Sequence, residues 1–170
     1  MKHLFLKLLI CFFTFSAHGS QGLPKGWNLI SLKDLKLKTI DGDTFEADLN
    51  RNGRIAGKQE RVRLLYVDTP ELNQSHKGKD LLHGIPAKDF LKQKLNTGRC
   101  SLWVDPENSR GNRGRLLGLA ECSGTNINLE LIREGHSYFD TRFSRPRNYV
   151  LNARQEAQAF NSRRGVWSRL

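Results

Sequence analysis

The sequence predicts an α+β fold, a small antiparallel β-barrel of five strands with about three helices packed on it. Strand-like segments come mostly before the helical ones, with one helix inserted among them. Each is short, apolar and bounded by Gly, Asn, Asp or Pro turn signals. The chain has 170 residues, enough for one domain whose core needs neither metal nor disulfide to form.

The elements follow in order. Residues 20–27 read as a loose N-terminal segment. Strands are expected over 35–40, 45–49 and 61–67, the last two joined by a polar loop over 50–60 that contains Asn52-Gly53. A polar stretch over 73–80, rich in His and Lys, precedes a helix that should begin near Pro86, a residue suited to a first helical position. Ala87, Phe90, Leu91 and Leu95 give that helix its apolar face. Strands over 99–104 and 115–122 come next. A short helix over 128–134 can be capped by Asn126 or Asn128 and is ended by Gly135. The last helix, over 149–162, places Val150, Ala153, Ala157 and Phe160 on one side, with Gly165 closing it.

The first 19 residues read as a secretory signal. Lys2 and Lys7 supply a positive start, Leu8 to Ala17 is apolar, and Ala17-His18-Gly19 offers a small-x-small cleavage site. The apolar run is about 10 residues against the ~20 that span a bilayer. Leu8-Leu9-Ile10-Cys11 faintly suggests a lipoprotein cysteine, but bulky Ile10 argues against it. The expected organisation is a signal over 1–19 and one domain over 20–170, secreted or periplasmic, monomeric and free of the membrane after cleavage. The formal charge of +11 falls to +9 once Lys2 and Lys7 leave. Such a balance suits a polyanionic partner: nucleic acid, anionic lipid or polysaccharide. Cys100 and Cys122 remain in an oxidising compartment. If their two segments pair as a hairpin they lie nearly opposite each other and can bridge; the alternative is two buried thiols.

The chemistry-bearing stretch is Arg61-Val-Arg-Leu-Leu-Tyr-Val-Asp-Thr-Pro-Glu71. It puts arginines inside an apolar strand and ends in an acidic turn. A second acidic turn, Asp41-Gly42-Asp43-Thr44, lies upstream. Asp43 and Asp68 each fall at a strand end. If those strands are neighbours, both carboxylates face one pocket, and such oxygen ligands suit Ca²⁺ or Mg²⁺. Arg63 and Arg115 can grip a phosphate through paired hydrogen bonds and neutralise charge building on phosphorus. Glu71 is a candidate general base for a water. Taken singly, each has a plainer reading: an acidic turn, a structural ion pair, a solvated strand end, a turn-start acid.

Together and in this order they resemble the staphylococcal nuclease (thermonuclease) family. The resemblance rests on Asp41-Gly42-Asp43-Thr44, on Arg63-Leu-Leu-Tyr-Val-Asp68-Thr69-Pro70-Glu71 and on Gly114-Arg115. It extends through Asn128-Leu-Glu-Leu-Ile-Arg-Glu-Gly135 to Gly165-Val-Trp167. It implies a five-stranded OB-fold barrel with packed helices and Ca²⁺-dependent cleavage of phosphodiesters in DNA and RNA with little sequence preference. By position, Asp43, Asp68 and the Thr69 carbonyl would be metal ligands, with Asp41 supporting them from its turn. Glu71 would activate the water, and Arg63 and Arg115 would hold the phosphate. Two departures stand out. The 50–60 loop is longer than usual. Thr141 and Phe143 fall where the family often has pocket tyrosines, a role Tyr138 or Phe139 could take. The alternative to an enzyme is a non-catalytic module on the same barrel that binds single-stranded nucleic acid; it predicts losses at Arg63, Glu71 or Arg115, all of which are present.

Overall fold

The computed structural model describes residues 26–55, 60–72, 79–111, 113–142 and 149–168; the signal segment, most of the 73–80 stretch and Phe143 lie outside them. The described strands are β1 (Asn28–Ser31), β2 (Leu37–Thr39), β3 (Thr44–Ala47), β4 (Arg61–Leu64), β5 (Val67–Asp68), β6 (Cys100–Val104), β7 (Leu116–Cys122), β8 (Thr125–Asn126) and β9 (Tyr138–Phe139). The helices are α1 (Lys79–Leu95), α2 (Ile127–Arg133) and α3 (Tyr149–Asn161), followed by a 3-10 turn over Gly165–Trp167.

All five expected strands are present, as β2, β3, β4, β6 and β7. The main sheet runs β1-β6-β7-β4-β3-β2, with β8 on β7, and β5 pairs β9 separately. Ile30 from one edge strand and Leu37 from the other pack on the same core as Phe45, Val62 and Leu102. The sheet therefore curls around one interior, giving the OB-type α+β architecture. Its middle strand β7 is covered on both sides. Leu116 and Ala120 enter the main core, while Leu117 and Leu119 pack with Leu65 and Tyr66. A strand buried on both faces reads as a continuous apolar run, as this one does.

The structure corrects several expectations. The barrel is not wholly antiparallel: β4 and β7 pair in parallel, Arg63 beside Leu117. β1 was not anticipated, because its residues are mostly exposed and show no clean alternation. The strand expected over 61–67 breaks. It pauses at Leu65-Tyr66, where Tyr66 takes φ +64°, and resumes as β5. Tertiary hydrogen bonds hold the break: the Leu65 carbonyl accepts from Asn128 Nδ2 at 2.8 Å, and the Tyr66 carbonyl accepts from the Asp140 N–H at 2.9 Å.

α1 begins two turns earlier than Pro86, which lies inside it. Proline costs an interior helix hydrogen bond and crowds the preceding turn, so packing of the helix overrides its local preference. The expected face holds where it matters, with Ala87, Leu91 and Leu95 buried. In α2 the cap is Asn126, whose Oδ1 accepts the Leu129 N–H at 3.1 Å. Asn128 is buried instead, and its amide ties β7 to the Leu65 break. α3 is rotated from the expected face. Asn152 and Ala159 are buried and Phe160 is exposed, because Glu156 turns inward to accept the Phe139 N–H at 2.9 Å.

Cys100 and Cys122 are direct partners across β6 and β7 and are disulfide-bonded. With 22 residues of separation, loop-closure entropy makes the bond worth about 3 kcal/mol. Reduction is expected to lower the melting temperature while leaving function intact below it, since neither sulfur approaches the acidic turns. Thermal melts with and without reductant check this. Unchanged melting after verified reduction would remove the bond from the account of stability.

Candidate active site

The acidic turn after β2 folds back on itself. The Asp43 N–H donates to Asp41 Oδ1 at 3.0 Å, and the Asp41 N–H donates to the Thr44 carbonyl at 3.2 Å. Gly42 at the turn's tip is forced by space. A Cβ there would lie 2.6 Å from Ala87 Cβ and 2.8 Å from the Thr69 side chain. The turn is thereby pressed between α1 and the Thr69-Pro70 corner. Gly84 does the same from the helix side, since its Cβ would meet the Pro70 carbonyl at 2.8 Å. Two glycines thus let α1 seat both acidic turns together.

That seating brings the expected residues into one cluster. Thr69 donates from its N–H (3.0 Å) and Oγ1 (3.1 Å) to Asp43 Oδ2, and Thr44 Oγ1 donates to Asp43 Oδ1 at 3.0 Å. Arg63 reaches both carboxylates: its Nη1 contacts Asp43 Oδ1, and its Nη2 donates to Asp68 Oδ1 at 3.2 Å. Asp43 and Asp68 are therefore neighbours, held by one guanidinium. Arg61, one pleat earlier, turns instead to Glu46 at 2.8 Å and stays out of the site.

Arg63 is buried, and burial lowers its affinity for its proton; the Asp68 charge opposes this, while repulsion from Arg115 adds to it. Arg115, just ahead of β7, is pushed the same way, first by burial and then by Arg113, with Asp41 and Glu71 opposing. Burial raises the Asp41 pKa from its ordinary value, against the pull of Arg63. The two guanidiniums are close enough to repel each other, and Asp41 and Glu71 lie within electrostatic reach of Arg115. Glu71 is exposed, so its carboxylate is available to solvent.

Three contributors escaped the sequence reading. Ser137 Oγ accepts the Asp68 N–H at 2.8 Å and is itself wholly buried. Arg142 Nη2 contacts Asp68 Oδ2 at 2.8 Å, and buried Asp140 holds Arg142 in turn, with Nε at 2.9 Å from its Oδ1. Burial works against the Asp140 charge, but the Arg142 hydrogen bonds outweigh it and leave the carboxyl below its ordinary range. The only sequence signal was an acid and an arginine two residues apart. Phe139 packs on both apolar clusters, and the Tyr138 ring meets Trp167 edge-on at 5.0 Å. Thr141 is exposed.

Among the described residues, no three acidic, His or Cys side chains form a ready metal cage. The donors that converge are nonetheless all oxygen. Asp43 and Asp68 share one guanidinium as their common positive partner, and a carboxylate pair of this kind fits a hard cation such as Ca²⁺.

The family model described as "Staphylococcal nuclease homologue" matches residues 61–169. The chain is 29% identical over 150 residues to Endonuclease YncB of Bacillus subtilis (strain 168), covering 87% of this chain and 68% of that protein. It is 30% identical over 135 residues to the Thermonuclease of Staphylococcus hyicus, covering 78% of this chain and 73% of that one. Against Endonuclease YhcR of B. subtilis (strain 168), identity is 30% over 139 residues, and only 11% of that protein's length is spanned. The family match begins at Arg61, so the Asp41–Thr44 turn stands outside it and is tied to the matched part by the contacts of Asp43 with Arg63 and Thr69. On this agreement of geometry and likeness, the chain belongs to the staphylococcal nuclease homologue family.

Proposed function

We propose that this protein is an exported, Ca²⁺-dependent nuclease that hydrolyses phosphodiester bonds of DNA or RNA with little sequence preference. The observation that carries the reading is the convergence of Asp43 and Asp68 on Arg63, with Arg115 and Glu71 within electrostatic reach. Relatives named endonuclease and thermonuclease support the reaction class.

Asp43, Asp68 and the Thr69 carbonyl would hold the cation. When bound, Ca²⁺ would offset charge on the reacting phosphate as a Lewis acid. Arg63 and Arg115 hold the phosphate by paired N–H donors and meet the negative charge that grows as the phosphorus becomes pentavalent. Glu71, open to solvent, orients a water and takes its proton as the new O–P bond forms. The bond to the 5′-oxygen breaks in line. No base-reading motif accompanies these residues, which is why little sequence preference is proposed. All the named groups come from one chain, so action as a monomer suffices. Export rests on the signal-like residues 1–19, and no helix among the described residues is long and apolar enough to cross a membrane.

The test is incubation of the mature protein with single-stranded DNA and RNA. Cleavage is expected in Ca²⁺, none in EDTA, and recovery on adding Ca²⁺ back. Mg²⁺ is expected to restore less, because its stricter octahedral geometry would misplace the attacking water. Full activity in chelator would sink the assignment of Asp43 and Asp68 as ligands.

A further inference from the structure

Arg142 is placed as no other cation of the site is. Its side chain is 65% exposed, against 6% for Arg63. Yet its base is fixed. Its own N–H and its Nε both donate to Asp140 Oδ1 at 2.9 Å, and the Asp140 carboxylate is only 5% exposed. Asp140 is pinned in turn by its N–H to the Tyr66 carbonyl, inside the break that separates β4 from β5. Nη2 lies 2.9 Å from Asp140 Oδ2 and 2.8 Å from Asp68 Oδ2, so Asp140 holds the Nε–Nη2 edge, and Nη1 has no hydrogen-bond partner among the described residues. Asp68 thus sits between two guanidiniums, with buried Arg63 on one oxygen and exposed Arg142 on the other.

A cation held by Asp68 would share that carboxylate with Arg142. Two positive charges compete for one anion, and the solvent-facing partner, whose charge water can take over, is the one able to give way. Its anchor to Asp140 through Nε and Nη2 keeps the guanidinium beside the site, and release of Asp68 opens its Nη1–Nη2 edge to another planar or tetrahedral anion.

We propose that Arg142 is a third phosphate-binding guanidinium: it neutralises Asp68 when no cation is bound, and grips a backbone phosphate next to the scissile one when a cation takes Asp68. This rests on the nuclease reading above. Its consequence is coupling: cation and nucleic acid each favour binding of the other through the same side chain. Arg142 acts on the strand outside the reacting bond, so it sets substrate affinity rather than the chemical step.

The experiment uses the mature chain carrying Glu71→Gln, so that substrate stays intact, with Arg142 present or replaced by Ala or Lys. Ca²⁺ binding without nucleic acid is measured by calorimetry. Binding of a single-stranded oligonucleotide is measured by fluorescence anisotropy in Ca²⁺ and in EDTA over a salt series. Arg142→Ala is expected to bind Ca²⁺ alone several-fold more tightly. In Ca²⁺ it should bind the oligonucleotide about tenfold more weakly, with the log–log salt slope shallower by about 0.7, the signature of one lost contact to a single strand. Arg142→Lys keeps the charge and should keep the slope while losing part of the affinity. If Arg142→Ala leaves both Ca²⁺ affinity and salt slope unchanged, the residue only braces Asp140 and the proposal is overturned, whatever happens to the melting temperature. If the protein with Arg142 intact binds neither Ca²⁺ nor oligonucleotide, the nuclease reading fails and this proposal falls with it.

Discussion

Glu71→Gln is expected to lower turnover by ~10²–10⁴-fold, the usual worth of a general base, with little change in melting temperature because Glu71 is exposed. Arg63→Ala and Arg115→Ala should each cost about 10²–10³-fold through loss of a charge donor held ready for the transition state. The three effects should not add, since all act on one reacting phosphate. Arg63 differs from the others in one respect. It is buried and spans Asp43 and Asp68, so Arg63→Ala also takes the guanidinium from buried Asp43, while Asp68 keeps Arg142 on its other oxygen, and should lower stability. Steady-state kinetics beside thermal melts separate the two roles. If Arg63→Ala melts lower but turns over normally, Arg63 is a structural ion pair and the phosphate assignment is wrong.

A second large effect is expected at a residue with no chemistry. In Gly42→Ala the new methyl would lie 2.6 Å from Ala87 Cβ and 2.8 Å from Thr69, closer than packed atoms allow. Either α1 shifts or the Asp41–Thr44 turn lifts away from Thr69, and the second breaks the Thr69 hydrogen bonds to Asp43. Overpacking of this kind costs about 1–3 kcal/mol. A displacement near 1 Å at reacting groups costs roughly 10²-fold in rate. Turnover is therefore expected to fall far more than the loss of folded protein explains, and Ala87→Gly in the same chain should restore part of it. Wild-type kinetics for Gly42→Ala would show that the turn is not held where the structure puts it.

Arg63, Asp68 and Glu71 were legible in the sequence because they sit in one short stretch, where a strand pattern meets an acidic turn. Asp43 was legible because an Asp-Gly-Asp turn at a strand end is itself a local signal. Arg142, Asp140 and Ser137 were not. Each lies about seventy residues from Asp68 in the chain and is brought to its neighbourhood by the β5–β9 pairing, which two-residue strands cannot announce. The α3 face was misread for a related reason. A polar residue, Glu156, is drawn inward by a backbone N–H on β9, and apolar periodicity carries no information about such a partner.

The sequence by itself determined the order of the five main strands and three helices, the possibility of a Cys100–Cys122 bridge, and the residue types of the site. All are set by local pattern: apolar alternation, turn residues, charge at strand ends. Tertiary structure alone decided that the site exists as a cluster. In one unbroken strand, Arg63 and Asp68 would point to opposite faces about 17 Å apart, because successive side chains alternate and each residue advances about 3.3 Å. They are instead in contact, because the chain breaks at Leu65-Tyr66 with Tyr66 at φ +64°. A non-glycine residue holds that conformation only where its surroundings compel it. Here Asn128 from α2 and the Asp140 backbone take the carbonyls that a continuing strand would have given to its neighbour.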